Sequence, residues 1–418
     1  MSFREFLEKL RNEGKLREVN TPISPVYGVT ASQIKEPVLF TDVNGSKVAM
    51  NILGSRELLA QALGVPQSGI IKHLSSSPPE GEVTVVSDSP VKEVVGKPDM
   101  GKLPVLTHFE GDGAPYITSG VVVSEYGGVT NASIHRLRVT GKDTLVPRLV
   151  EFRHTHNLFM KAKENNEPLE IAIAIGIDPV TLFAVCTRVP EGKEFEYASS
   201  LKGKPVELFE CENGLKVPHS EIVLEGYIDP VEVADEGPFV DISGTYDIVR
   251  KQPVIHLTNM MYRKDPVYHA LMPGGSEHHI LMGIPYEPLI FNEVKKVADV
   301  KNVVMTRGGC FYFHAAVQIH KNRDDDGRRA IDATFAAHKS LKHVVVVDDD
   351  INIFDPNDIE FAIATRVKGD EDIHIFPNVR GSTLDPRSID GIGTKVGFDA
   401  TIDLSKKEKF ERAAIPGV

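Results

Sequence analysis

"TNASIHRLRVT", residues 130–140, alternates as a β-strand does: Asn131, Ser133 and His135 face one side, and Ala132, Ile134 and Arg136 the other. An arginine on an otherwise apolar strand face needs an anionic partner, because a buried unpaired charge is costly. "EGPFVDISG", residues 236–244, sets two acids, Glu236 and Asp241, around a Gly-Pro turn, and Glu236 is a candidate for that partner. Two readings of the acid pair stand. Acids beside Gly-Pro form solvated turns. Alternatively, apolar neighbours keep one acid protonated, ready to hand over a proton.

Outward from this strand, residues 106–290 are rich in β-patterns: "YITSGVVVSEYGG", "LEIAIAIGID", "SEIVLEGYID" and "QPVIHLTNMMY". A single helical run, "HNLFMKAKEN", interrupts them, and the stretch reads as a barrel-like or sandwich β domain. Residues 1–105 mix short helices ("SRELLAQAL") with strands ("EVTVVSDS"), as in a small α/β domain, and the Gly/Pro-rich "VVGKPDMGKLPVL" marks its boundary. In residues 291–418, amphipathic helices ("RRAIDATFAAHKSLK", "DPNDIEFAIATR") flank a continuous apolar strand ("HVVVVDDD"), a βαβ pattern. The acids Asp348, Asp349 and Asp350 that end this strand read as a solubilising cap.

The net charge of −12 opposes a nucleic acid partner, since phosphate binding needs a basic surface. Cys186, Cys211 and Cys310 are far apart and form no CxxC, so neither a disulfide framework nor a structural zinc site is expected. Charges interrupt every apolar run of "MSFREFLEKLRNEGKL", which excludes a signal peptide. It reads as an amphipathic helix with a Ser2/Glu5 capping box, an apolar face of Phe3, Phe6, Leu7 and Leu10, and a stop at Gly14. With no run long enough to span a bilayer, the expectation is a cytoplasmic protein without a membrane partner. Nucleophile elbow, P-loop, GxGxxG and HExxH motifs are absent. The adjacent His278 and His279, beside a Gly-rich turn, could meet a phosphate or an acid, or one could be buried and the other exposed at a helix start.

Four stretches in order, "TNASIHR", "PEGKEFEYA" (190–198), "EGPFVD" and "GTKVGFDAT" (393–401), resemble the UbiD family of prenylated-FMN-dependent decarboxylases over nearly the whole chain. The resemblance implies an α/β (α+β) fold: an N-terminal α/β domain, a central split β-barrel holding the flavin, and a C-terminal α/β domain. It implies that Asn131, His154 and Glu194 hold a divalent metal, usually manganese, that ties down the flavin phosphate, with Glu191 or Glu196 as alternatives to Glu194. Ile134, His135, Arg136, Arg148, Arg153 and His154 would line the prenylated FMN, Lys395 would approach its phosphate, and a potassium ion could sit near Ala184–Thr187.

The chemistry implied is addition of the modified flavin across the double bond of an α,β-unsaturated acid, with the flavin as electron sink while carbon dioxide leaves. Arg136 would orient the acid, Glu236 would balance Arg136, and Asp241, protonated in an apolar pocket, would donate the proton. His278 and Met282 would line the substrate pocket, His278 as a donor that is cationic near neutral pH. The compact N-terminal part, "RHTHNLFMKAKENNE" and "GGSEHH" look most like archaeal members acting on trans-anhydromevalonate 5-phosphate in a mevalonate pathway variant. The alternatives are a 4-hydroxybenzoate or polyprenyl-hydroxybenzoate decarboxylase, a non-catalytic flavin-binding paralogue, and a split-barrel FMN reductase. The partners implied are a flavin prenyltransferase that supplies the cofactor and further copies of the chain in a homo-oligomer.

Overall fold

A computed structural model describes residues 1–413 of the chain. Its contacts divide it into two compact units, one of Met1–Leu281 and one beginning at Met282.

The first unit opens with the helix Phe3–Asn12, whose capping box is complete: the Glu5 amide donates to Ser2 Oγ and the Ser2 amide to Glu5 Oε2. Phe3, Phe6, Leu7 and Leu10 are its buried face. Arg4 reaches across to Glu221, 217 residues downstream, through Nε and Nη2 at 2.8 and 2.6 Å.

Among the described residues, the centre of this unit is a nine-stranded sheet. Its order is Tyr116–Ile117, Leu137–Val139, Thr144–Pro147, Arg250–Tyr262, Ile222–Glu236, Leu169–Ile175, Val121–Tyr126 and Val129–Ile134, with Val94–Gly96 also on Arg250–Tyr262. The strand Leu169–Ile175 lies inside the sheet and is buried almost throughout, as its unbroken apolar run requires. The strand order is an open path. The expected barrel or sandwich is therefore one open sheet, which ends on one side in the two-residue strand Tyr116–Ile117. The pairing of Ile222–Glu236 with Arg250–Tyr262 shifts register at Glu225/Gly226 and again at Ile228/Val233, and such bulges bend and twist a strand.

Three pairings cross the boundary expected near residue 105: Val83–Val86 with Val206–Glu210, Val94–Gly96 with Arg250–Tyr262, and Ser46–Met50 with Val267–His269. The single helix expected in the central region, observed at His154–Glu164, has company: Pro179–Ala184, Glu194–Lys202 and Ser276–Gly283 are also helical. Pro179–Ala184 is buried at every position, and Glu194–Lys202 buries Glu194, Tyr197, Ala198, Ser199 and Leu201. A helix enclosed on most sides shows no polar stripe for periodicity to find.

The second unit carries a five-stranded sheet in the order Asp299–Met305, His314–His320, His343–Asp348, Ile392–Ala400 and Ile373–Arg380. His343–Asp348 is parallel to both neighbours, with the helices Asp326–Ala337 and Pro356–Arg366 in the connections, as the βαβ pattern requires. At the end of that strand, Arg366 bonds Asp348 at 2.7 Å and Asp350 at 2.9 and 2.6 Å. The acidic run is thus a structural ion-pair cluster more than a solvated cap.

Candidate active site

The strand Val129–Ile134 delivers its alternating faces to two different clusters. On one face, Asn131 Nδ2, Ser133 Oγ and His135 Nε2 converge on Thr155 Oγ1 at 2.8, 3.1 and 3.0 Å. Thr155 is the second residue of the helix His154–Glu164, so this hydroxyl fixes the helix start against the strand. The Nδ1 of His135 lies 3.0 Å from the Arg148 carbonyl oxygen, which can only accept, so the ring proton sits on Nδ1. Burial pushes this imidazole below its ordinary range, and it is neutral near neutral pH.

Both hydrogen bonds of Asn131 leave through Nδ2, to Ser133 and Thr155, which reserves its Oδ1 for another ligand. His154 Nδ1 and Glu194 Oε1 stand 3.8 Å apart, too far for a hydrogen bond and close enough to share an ion. Glu194 heads its helix and is buried. Burial pushes its carboxyl up to about 7, against hydrogen bonds from its own amide and that of Ala132. One amide oxygen, one imidazole and one buried carboxylate short of a counter-charge make a donor set that fits a hard divalent cation. Glu191 and Glu196 act on Glu194 through their charges, and Glu196 is held by Lys193 at 2.8 Å, whereas Glu194 is the acid that stands beside His154.

The other face carries Arg136. Its Nε and Nη2 form a two-pronged bond to Glu236 at 2.9 and 2.8 Å, Nη1 reaches Asp241 at 2.7 Å, and Nη2 also reaches Asp247 at 2.8 Å. Glu236 is fully buried, Asp247 nearly so, and Asp241 is the most open of the three at 14% side-chain exposure. Burial alone would lower the Arg136 pKa, but the three carboxylates outweigh it and raise it, so the guanidinium stays charged. Four of its five N–H groups are taken, and one on Nη1 is left over.

Phe239, Asp241 and Asp247 all belong to one small hairpin, in which Phe239 pairs with Asp247 and Val240 with Tyr246. The Phe239 ring lies 4.9 Å from the guanidinium carbon, a cation–π contact that covers one face of Arg136. Tyr116 packs against Phe239 at 4.5 Å, receives the Gly237 amide at 3.0 Å and donates to Glu236 at 3.4 Å.

The acid pair is therefore no solvated turn. Nor does Asp241 sit in an apolar pocket, as expected for a protonated acid, because a guanidinium holds it. Asp247 and Tyr116 escaped the sequence reading. "TYDIVRK" shows no pattern that ties Asp247 to an arginine 111 residues away, and only the hairpin register does so.

His278 lies in the helix Ser276–Gly283, and its Nδ1 accepts the Gly274 amide at 3.0 Å. Burial brings its imidazole down to about 4, opposed by Asp241 and reinforced by His279 and Arg136. The cationic donor expected here is instead a neutral ring with its proton on Nε2. His279 lies 2.9 Å from the Ile242 carbonyl oxygen, within reach of Asp241's own loop.

Met282 is half-buried on the same helix and counts with the second unit. Lys395 also belongs to that unit, where its Nζ donates to the Lys339 carbonyl at 2.6 Å over the Phe335 ring. Arg148 bonds the Leu149 carbonyl and Glu151, while Arg153 is exposed at the start of its helix. Ile134 is half-buried at its strand end. Near Ala184–Thr187, the Ala184 and Phe183 carbonyls accept bonds from Thr187 and Cys186 of the same turn.

Residues 83–276 match the 3-octaprenyl-4-hydroxybenzoate carboxy-lyase Rift-related domain, 279–400 its C-terminal domain and 7–77 its N-terminal domain. The chain belongs to the UbiD family of carboxy-lyases. Among UbiD relatives, the anhydromevalonate phosphate decarboxylase of Methanosarcina mazei is 61% identical over 420 residues, covering all of both chains. The UbiD-class enzyme HmfF from Pelotomaculum thermopropionicum, solved in complex with FMN, superposes with a TM-score of 0.97 at 39% identity, over 100% of this chain and 98% of that one. An evolved dimeric form of HmfF in complex with prFMN gives a TM-score of 0.92 at 38% identity, over 100% and 97%.

Proposed function

We propose that the chain decarboxylates trans-anhydromevalonate 5-phosphate without net oxidation, with prenylated FMN as cofactor, to give isopentenyl phosphate. The observation that carries this reading is full-length 61% identity to a relative of that activity, combined with a complete Arg136–Glu236–Asp241 cluster. Bound prenylated FMN supplies the electron sink for the departing carbon dioxide. Asn131, His154 and Glu194 would hold the manganese or other divalent ion at the flavin phosphate. Ile134, His135, Arg148 and Arg153 would border the flavin, and Lys395 would approach its phosphate. A potassium ion near Ala184–Thr187 would take the second lone pairs of the carbonyls that already accept bonds within that turn.

Arg136 binds the substrate carboxylate through its remaining Nη1 N–H, at the edge shared with Asp241. Glu236, buried and bonded twice, keeps the guanidinium plane fixed. Asp241, the most open of the three acids, releases Nη1 to the substrate, takes up a proton from water, and passes it to the carbon that has lost carbon dioxide. Its carboxylate then returns to Nη1. His278 contributes a neutral N–H to the pocket, so recognition of the substrate phosphate falls to arginine or lysine. A flavin prenyltransferase would supply the cofactor, and the working form would be a homo-oligomer in the cytoplasm.

The test is reconstitution with prenylated FMN, followed by carbon dioxide release from anhydromevalonate phosphate and from 4-hydroxybenzoate. Turnover of the phosphorylated acid alone is expected. Turnover of the aromatic acid alone would replace the substrate, and release from neither would leave a flavin-binding protein without this chemistry.

A further inference from the structure

Asp247 is not part of the acid pair that the sequence displays, yet it grips the same guanidinium. It lies opposite Phe239 in the hairpin whose turn carries Asp241, and it bonds Arg136 Nη2 at 2.8 Å. Arg250 holds the same Asp247 oxygen from the other side at 2.7 Å. One short hairpin thus covers Arg136 with a ring, pins its Nη2 edge with one acid and touches its Nη1 edge with another. The two edges differ in what they allow. Glu236 and Asp247 together fill Nε and Nη2, whereas Nη1 has a single partner and a spare N–H.

Charges in the cluster point the same way. Arg136 and Arg250 carry two positive charges, and Glu236 and Asp247 carry two negative ones. Asp241 can then hold a proton without leaving the buried cluster charged. Burial works to raise the Asp247 carboxyl, but the Arg250 and Arg136 contacts prevail and hold it below the usual range, as an anion.

The other groups facing Asp241 are two imidazoles, a phenol, an arginine and a carboxylate. His278 is neutral, and His279 bonds the Ile242 carbonyl oxygen. Burial and the Glu236 charge raise the Tyr116 phenol, which keeps its proton. Arg138 donates to the Asp235, Gly237 and Gly113 carbonyls, and Asp112 accepts the His108 and Phe109 amides.

We propose that Asp247 is a positioning residue for the proton-transfer step: it holds the Nη2 edge of Arg136 and neutralises the cluster, so that Asp241 can leave Nη1 and carry a proton. This rests on the reading of Asp241 as the acid. Replacing Asp247 by a neutral isostere leaves one uncompensated positive charge beside Asp241, which favours its carboxylate. Removing Arg250 does the reverse.

Two measurements on the full chain test this. In the reconstituted holoenzyme, the alkaline limb of the kcat–pH profile should move down by about 1 pH unit in Asp247→Asn, with KM nearly unchanged, and return in Asp247→Glu. In protein without flavin or substrate, difference infrared titration should show the Asp241 carboxyl, assigned by its absence in Asp241→Asn, losing its proton at lower pH in Asp247→Asn. Asp235→Asn, which removes an exposed charge paired with Lys251, is the control and should shift neither. If Asp247→Asn fails to fold, Arg250→Gln carries the test with opposite sign, an upward shift of both readouts.

A lower melting temperature with unmoved limb and unmoved infrared titration would reduce Asp247 to a packing residue. Full turnover in Asp241→Asn would instead sink the acid reading itself. The infrared titration of the unliganded protein still reports on Asp247 in that case.

Discussion

Two buried arginines in this chain each gather several carboxylates, and they do so to different ends. Arg366, in the second unit, bonds Asp348 and Asp350, and Asp348 also accepts the Ile402 amide. Its side chain is 1% exposed, and its partners sit in the turn that ends one strand. Arg136 has three acids from two segments, an aromatic ring over one face, a histidine helix nearby and a donor to spare. The Arg366 cluster joins one arginine to the two acids of a single strand end, and it is a rivet. The Arg136 cluster adds a third acid, a second arginine and a covering ring, and its least buried acid is the one that can exchange partners.

The sharpest way to break this comparison is Asp241→Asn. General acid loss should lower kcat by about 10²–10⁴-fold, while flavin content and melting temperature stay near wild type. A variant that loses stability and keeps its rate would place Asp241 with Asp348 as a structural acid.

Next in size is Arg366→Met, which strands the buried Asp348 and should destabilise the second unit by about 3–5 kcal/mol in denaturant unfolding. Turnover per folded molecule should not change. The matching change Arg136→Met should cost stability and abolish turnover, and equal loss of turnover in both variants would erase the distinction.

The Thr155 hydroxyl offers a smaller test. Thr155→Val removes the bond that turns Asn131 Oδ1 outward, and should weaken manganese binding by about 10–100-fold, read by metal titration. Flavin retention should fall with it. Flavin content that is indifferent to both the variant and metal stripping would contradict a bridging ion.

The mildest effect is on pH. His278 in the first unit and His314 in the second are both held near 4 by burial, against 6.5 when unfolded. Below about pH 6.5 the unfolded chain binds protons that the folded chain refuses, so stability should fall as pH drops from 7 towards 4. His314→Gln should flatten that slope for the second unit, and an unchanged slope would mean that His314 is charged in the fold.

The legible parts of this fold were those with local rules. The capping box and the apolar face of the first helix follow from ten residues, and the parallel strands of the second unit from unbroken apolar runs. Arg136 with Glu236 was legible because a charge on an apolar strand face demands an answer. Asp247 was not, since its role comes from a hairpin register. The helix bearing Glu194 has buried side chains on most of its surface and so lacks the stripe that betrays an amphipathic helix. His278 was placed beside the site by resemblance, but its charge state depends on burial, which no spacing records.

The bond from Arg4 to Glu221 has a meaning for a chain emerging from the ribosome. At about 5–20 residues per second, a helix made first waits roughly 10–45 s for its anchor to be synthesised. The strand Ser46–Met50 waits about as long, for Val267–His269. Through that interval Phe3, Phe6, Leu7 and Leu10 have no Glu221-anchored surface to settle on, and the newborn segment is a natural client for chaperones. A fragment ending near residue 105 should accordingly be recovered in aggregates, and co-expression with the missing strands, not a better linker, should rescue it.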